Sequence, residues 1–195
     1  TDDLGWGDLG CYGNRDIKTP NLDKMARQGT MFTQFYVNAA WCAPSRMGMI
    51  TGRFPAWNMF YFYHNAPQWR EDGRPGRYLD PKRPNIANIM KEHYYMTGHF
   101  GKWHLGADDS VPAPDSYGFD EYCVEHSNIS PNYMQRFLNG EFKNIFTDYN
   151  REFRAHSTQI IVDDAIQFME KNKDKPFFLN VWTLLPHAIL NPTDE

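Results

Sequence analysis

Two stretches of this chain each run from a helical apolar stripe into an apolar segment, and that alternation constrains the fold more than any other feature. Residues Asn85 to His93 carry Ile86, Ile89 and Met90 at helical spacing and run straight into the apolar segment Tyr94 to Phe100. Residues Ser157 to Lys171 carry Ile160, Ile161, Ala165, Ile166 and Met169 as a core stripe and run into Pro176 to Trp182. Helix and strand alternating in this way predict an α/β fold: a largely parallel sheet covered by helices on both faces. In such sheets the side chains that do chemistry gather beyond the carboxyl ends of the strands.

Shorter signals fill in the rest. Thr19 reads as a cap with Pro20 at the first helical position, Leu22, Met25 and Ala26 on one face, and Gly29 as the stop. Met31 to Val37 reads as a strand, and a helix is expected from just after Cys42 to about Thr51, ended by Gly52. Trp57 to Tyr78 mixes aromatics, Pro, Gly and Arg without a period, which reads as a long surface excursion. Asp108 to Asn150 reads as irregular. There is no internal repeat and no low-complexity segment.

Composition narrows the function classes. A chain of 195 residues with 41% hydrophobic content can fill one core, and no apolar run is long enough to span a membrane. A net charge of −4 gives no broad pull toward nucleic acid, so any anion binding must come from a local cluster. Three cysteines, Cys11, Cys42 and Cys123, are too few for a disulfide scaffold and leave the redox compartment open. Asn128-Ile129-Ser130 is a glycosylation triplet of a kind that arises by chance.

Four segments carry chemistry. In Cys42-Ala43-Pro44-Ser45-Arg46, Pro44 suits a helix start, so free backbone N–H groups and the positive dipole end face Cys42, where an anion is welcome. Arg46, one turn on, can return its always-charged fork to the same spot. Asp2 and Asp3 are adjacent carboxylates that repel unless a cation lies between them, and a hard ion such as Ca²⁺ suits them. Neighbours in a strand point to opposite faces, so both can reach one ion only where the chain leaves strand geometry, a departure that Gly5 and Gly7 ease. In Gly101-Lys102-Trp103-His104, an extended backbone puts Lys102 and His104 on one side as an oxyanion clamp and turns Trp103 into the core. Pro186-His187 follows the strand that ends at Trp182.

Taken together, these segments resemble the sulfatase family. Residues 42–53 match every fixed position of its signature, Cys-x-Pro-Ser-Arg-x-x-x-x-Thr-Gly-Arg, and the other motifs occur in family order. The resemblance implies an alkaline-phosphatase-like fold and oxidation of Cys42 to formylglycine by a maturation enzyme. It also implies a divalent cation, Ca²⁺ or alternatively Mg²⁺, held by Asp2, Asp3 and the matured residue 42. Arg46, Lys102 and His104 would hold the sulfate, and His187 would contact the leaving oxygen as general acid. Many relatives read Pro-His-x-Pro where this chain has Ala188-Ile189, which sets His187 apart from the closer matches.

The substrate expected on the same grounds is a small-molecule or oligosaccharide sulfate ester, with a carbohydrate sulfate first and an aryl sulfate second. Trp57, Asn58, Tyr61, Tyr63 and His64 could line a sugar site or serve as packing. Two other readings stay open: a phosphate or phosphonate monoester hydrolase of the same superfamily, and a non-catalytic relative in which Cys42 stays a thiol. The chain starts at the aspartate pair without the buried strand that relatives place before it, and it offers no match for the family's Asp-Asn metal ligands or second active-site lysine. Residues 1–195 are therefore expected to be the N-terminal part of the catalytic domain, truncated at both ends, of an exported protein.

Overall fold

In the computed structural model, the described residues are 1–58, 60, 78–106, 111–125, 134–138, 141–145 and 151–187. Both patterned units form. Helix α3 (Ile86–Glu92) is capped by Asn85, whose side chain accepts from the Asn88 N–H, and strand β1 (Met96–Lys102) follows it. Helix α4 (Arg151–Lys171) leads into strand β5 (Phe177–Trp182). Strand β2 (Glu121–Glu125) joins them, and β1 lies between β2 and β5, parallel to both.

The largely parallel sheet is thus present, extended at one edge by an antiparallel hairpin of β3 (Met134–Leu138) and β4 (Glu141–Ile145). The five strands run in the order β4-β3-β2-β1-β5. This corrects the irregular reading of 108–150. Strand β2 is buried along Glu121–Val124 and shows no polar-apolar alternation to read. The two residues between β3 and β4, Asn139-Gly140, are the strongest short hairpin signal in the sequence.

Alternation across the strands separates two cores. Tyr122, Val124 and Phe178 join Ala43, Met47 and Ile50 of helix α2 (Cys42–Thr51) and Ala87 of α3 on one face. Phe100, Cys123, Phe177 and Leu179 meet Ile161, Ala165 and Phe168 of α4 on the other. Helices therefore cover both faces, and each fully buried large apolar side chain contributes about 2 kcal/mol. The stripe on α4 differs from the expected one. Its buried line is Ile161, Ala165 and Phe168, while Ile160, Ile166 and Met169 face partly outward, because only one narrow face of the helix meets the sheet.

Helix α1 (Pro20–Gln28) starts and stops as expected, but Thr19 makes no cap bond. Its hydroxyl accepts from the Gly10 N–H and donates to Asp23, tying the helix to the preceding loop. Helix α2 begins at Cys42 itself and ends at Gly52 in the left-handed conformation. Met31–Val37 is not a strand. Its aromatic and branched residues favour one, but a strand needs a ladder partner, and among the described residues none pairs with it. The chain turns at residues 33–34 instead, with Phe32, Phe35 and Tyr36 exposed. Of the proposed surface excursion, Met59 and residues 61–77, including Tyr61, Tyr63 and His64, lie outside the described residues.

Candidate active site

The carboxyl ends of β1 and β5 approach closely, and the approach needs a glycine. Gly101 has φ +109°, and a Cβ there would lie 2.0 Å from the Trp182 carbonyl oxygen. Beyond that point β1 ends at Lys102 and the chain turns sharply, with His104 at φ +55°. Lys102 and His104 therefore do not alternate along a strand as expected, yet both still reach one site. Lys102 is fully buried and its Nζ meets Asp2 Oδ2, while His104 Nδ1 lies 3.2 Å from Cys42 Sγ. Trp103, between them, is buried in the core as its position predicts.

Asp2 enters beside the loop after β5. Its N–H donates to the Leu185 carbonyl at 3.3 Å, and it bridges Pro186 in parallel register. Asp3 leaves strand geometry by its own backbone, at φ +61°, rather than through Gly5 or Gly7. Aspartate is among the few residues that tolerate that region. The twist separates the two carboxylates: Asp2 is 3% exposed, while the Asp3 side chain is 62% exposed and lies 3.6 Å from His187 Nε2.

Arg46 completes a buried triad. One guanidinium nitrogen donates to the Lys102 carbonyl at 2.8 Å, another lies 3.2 Å from Asp2 Oδ1, and the group sits 4.8 Å from the Trp182 ring centroid. Its expected return toward Cys42 is thus spent mainly on Asp2. Burial by itself would raise the Asp2 pKa, but Arg46 and Lys102, with a smaller contribution from His187, hold it below the usual carboxylate value. Burial lowers Arg46 while Asp2 opposes the shift, and a guanidinium keeps its charge in any case. Beneath this floor, His99 is packed edge-on against Trp103, Phe119 and Trp182, and burial drops its pKa to about 3.

A cleft of about 340 Å³ is lined by Asp2, Asp3, Trp41, Cys42, Arg46 and Trp182, among others, and Lys102 and His104 meet it through Asp2 and Cys42. Asp2, Asp3, Cys42, Arg46, Lys102, His104 and His187 thus form one connected cluster, although the sequence spreads them over nearly its full length. Sequence reasoning missed Trp182, whose place at the end of a parallel strand was the available signal, and Trp41 beside the cysteine. Among the described residues no group of three or more His, Cys, Asp or Glu side chains has metal-binding geometry. Of the two carboxylates that line the cleft, Asp2 is paired with Arg46 and Lys102 and Asp3 faces His187.

A model of the sulfatase family matches residues 1–195. The chain belongs to the sulfatase family. It is 34% identical over 196 residues to N-acetylgalactosamine-6-sulfatase of Homo sapiens, a match covering 91% of this chain and 36% of that protein. It is 39% identical over 126 residues to steryl-sulfatase of Rattus norvegicus, covering 62% of this chain and 22% of the other. Among solved structures, the PsFucS1 sulfatase from Pseudoalteromonas sp. superposes with a TM-score of 0.78 at 24% identity, over 99% of this chain and 44% of that one, a likeness of fold. A structure solved in complex with its substrate D-glucosamine-2-N,6-O-disulfate gives 0.71 at 27% identity, over 96% and 33%. The chain spans a little over a third of the length of the N-acetylgalactosamine-6-sulfatases it matches. The alkaline-phosphatase-like architecture expected of a sulfatase is the one observed, in the part of the domain that this chain covers. No helix among the described residues is long and apolar enough to cross a membrane.

Proposed function

We propose that the protein carrying this chain is a sulfuric ester hydrolase acting on sulfate monoesters, with sulfated carbohydrates as its first substrate class. The observation that carries the reading is the placement of Cys42 on the first turn of α2, against His104 and in one cleft with Asp2, Asp3 and Arg46. The sugar preference is supported by the N-acetylgalactosamine-6-sulfatase relatives and by the neighbour holding a sulfated glucosamine.

If matured to formylglycine, residue 42 would supply a hydrated aldehyde, whose two hydroxyls on one carbon would allow one to displace the alcohol from sulfur and the other, on deprotonation, to release sulfate. A serine would be left sulfated, which is why the aldehyde is worth making. Asp2 and Asp3 would hold a hard divalent cation, Ca²⁺ or alternatively Mg²⁺, together with ligands from elsewhere, and that ion supplies Lewis acidity and shares the sulfate charge. His104, within hydrogen-bond reach of position 42, orients the attacking hydroxyl and accepts its proton. Arg46 and Lys102 neutralise the floor and keep Asp2 ionised, so that the metal-binding carboxylate is available at neutral pH. His187, 3.6 Å from Asp3, would protonate the leaving alcohol. A formylglycine-generating enzyme is the implied partner, and an exported location follows from the family.

The test is direct. The peptide holding position 42 should be lighter than its thiol form by the difference between sulfur and oxygen plus two hydrogens. Sulfate monoesters should be turned over faster than matching phosphate monoesters, and Cys42→Ala should abolish turnover while leaving the melting temperature near that of the parent. A residue 42 that stays a thiol in an active protein, or full activity in Cys42→Ala, refutes the proposal.

A further inference from the structure

Depth divides the cleft into two unlike parts. Asp2 and Arg46 lie deep, 3% and 7% exposed, whereas the Asp3 side chain stands at the rim with Trp41, Met49 and Val37, which are 48%, 62% and 66% exposed. Along α2 the residues that line the cleft include Cys42, Ser45 and Met49, spaced so that Met49 overhangs the same helix face as position 42. Met49 is exposed on a helix whose Ala43, Pro44, Arg46, Met47, Gly48 and Ile50 are all buried.

Trp41 breaks a local rule. It is the N-cap residue of α2, where Ser, Thr, Asp or Asn is favoured, and it makes no side-chain cap bond. A half-exposed indole in place of a capping side chain is a departure from local preference, and departures of this kind mark functional positions. The segment carrying it is anchored to α2. Ser45 Oγ donates to the Ala39 carbonyl at 2.6 Å, and Asn38 lies so close to Gly48 that a Cβ there would fall 1.7 Å from its Nδ2. Trp182, the other tryptophan of the cleft, gives its ring face to Arg46.

A sulfate monoester has the same polarity as this cleft: a charged head at one end and a carbon skeleton at the other. With the head at position 42 beside Arg46, the skeleton meets the apolar side of the rim. We propose that Trp41, flanked by Met49 and Val37, is the leaving-group subsite, and that it takes the flat C–H or π face of a cyclic alcohol, pyranose or aryl. The inference rests on the sulfatase reading and deepens it, because it assigns a residue of this chain to the choice of alcohol rather than to sulfur chemistry. Apolar contact and ring stacking act on the alcohol alone, so the rim discriminates between esters and is blind to free sulfate.

Binding separates the two claims. In a Cys42→Ala background with Ca²⁺ present, calorimetry would compare 4-nitrophenyl sulfate, N-acetylgalactosamine 6-sulfate and inorganic sulfate. Adding Trp41→Ala should weaken at least one ring ester roughly ten-fold, the size of a lost stacking contact with its buried area. Inorganic sulfate should bind as before, and Trp41→Phe should recover most of the loss. Weakening confined to the aryl ester or to the sugar ester identifies which ring the rim prefers, and either supports the assignment. Unchanged affinity for both esters overturns it, as does an equal loss for inorganic sulfate, which would make Trp41 a support of the floor. Turnover by the unsubstituted protein is measured separately, so a failure of sulfate-ester hydrolysis is distinguishable from a failure of the subsite.

Discussion

The floor and the rim of the cleft are built on opposite physical terms. On the floor, Asp2, Arg46 and Lys102 are buried, both cations pair with Asp2, and they keep that carboxylate ionised. At the rim, Val37, Trp41 and Met49 are 66%, 48% and 62% exposed, on a segment tied to α2 through the Ala39 carbonyl. A buried charge network tolerates no deletion, because a removed partner leaves an uncompensated ion. An exposed apolar wall tolerates deletion in the fold and shows its worth only when ligand arrives.

Substitutions can break or sharpen that contrast. The largest effect is expected for Lys102→Met, which keeps the buried stem but strands Asp2 against Arg46 alone. Activity should vanish and unfolding stability should fall by about 3 kcal/mol in denaturant titration. Unchanged stability would mean that the floor is not a coupled unit. Gly101→Ala comes next, since its Cβ would press on the Trp182 carbonyl at a positive φ, and a loss of about 2 kcal/mol is expected. That loss should carry a fall in activity, because the same approach positions Lys102.

His99 gives a pH signature beneath the floor. Its folded pKa of about 3 lies below the unfolded value of 6.5, so between those values the unfolded chain binds the extra proton. The stability contributed by neutral, buried His99 is complete above pH 6.5 and is lost as pH falls, by about 1.4 kcal/mol per unit well below that value. Stability curves of His99→Phe should lack this slope, and an identical slope in both proteins would place the titration elsewhere. The smallest effect is expected at the rim: Met49→Gln should leave stability within about 0.5 kcal/mol of the parent. A large loss there would show that the rim is core after all.

Several particulars show what a reader of the letters could and could not obtain. The segment from Cys42 to Arg53 declares its helix start, its stop at Gly52 and its chemistry together, because those depend on neighbours within one or two turns. The helix-to-strand units were legible for the same reason. Met31–Val37 misled, since strand propensity is real but pairing requires an edge elsewhere in the chain. Strand β2 was invisible because burial on both faces erases alternation, and the hairpin after it was announced by Asn139-Gly140 without being read. Asp3 was a partial success: the need to leave strand geometry followed from the carboxylate pair, but the residue that does so is the aspartate rather than a neighbouring glycine.

By itself, then, the order of residues determined the α/β class and the family, because periodicity, caps and short motifs are local properties. Tertiary structure decided which of those side chains share an environment. It brought Lys102 and Arg46 onto Asp2 across 100 and 44 residues of chain, set His104 against Cys42, and turned Asp3 outward toward His187. It also separated a buried, charged floor from an exposed rim where Trp41, Met49 and Val37 stand with Asp3. Burial and charge coupling depend on distances through space, and no spacing along the chain encodes them.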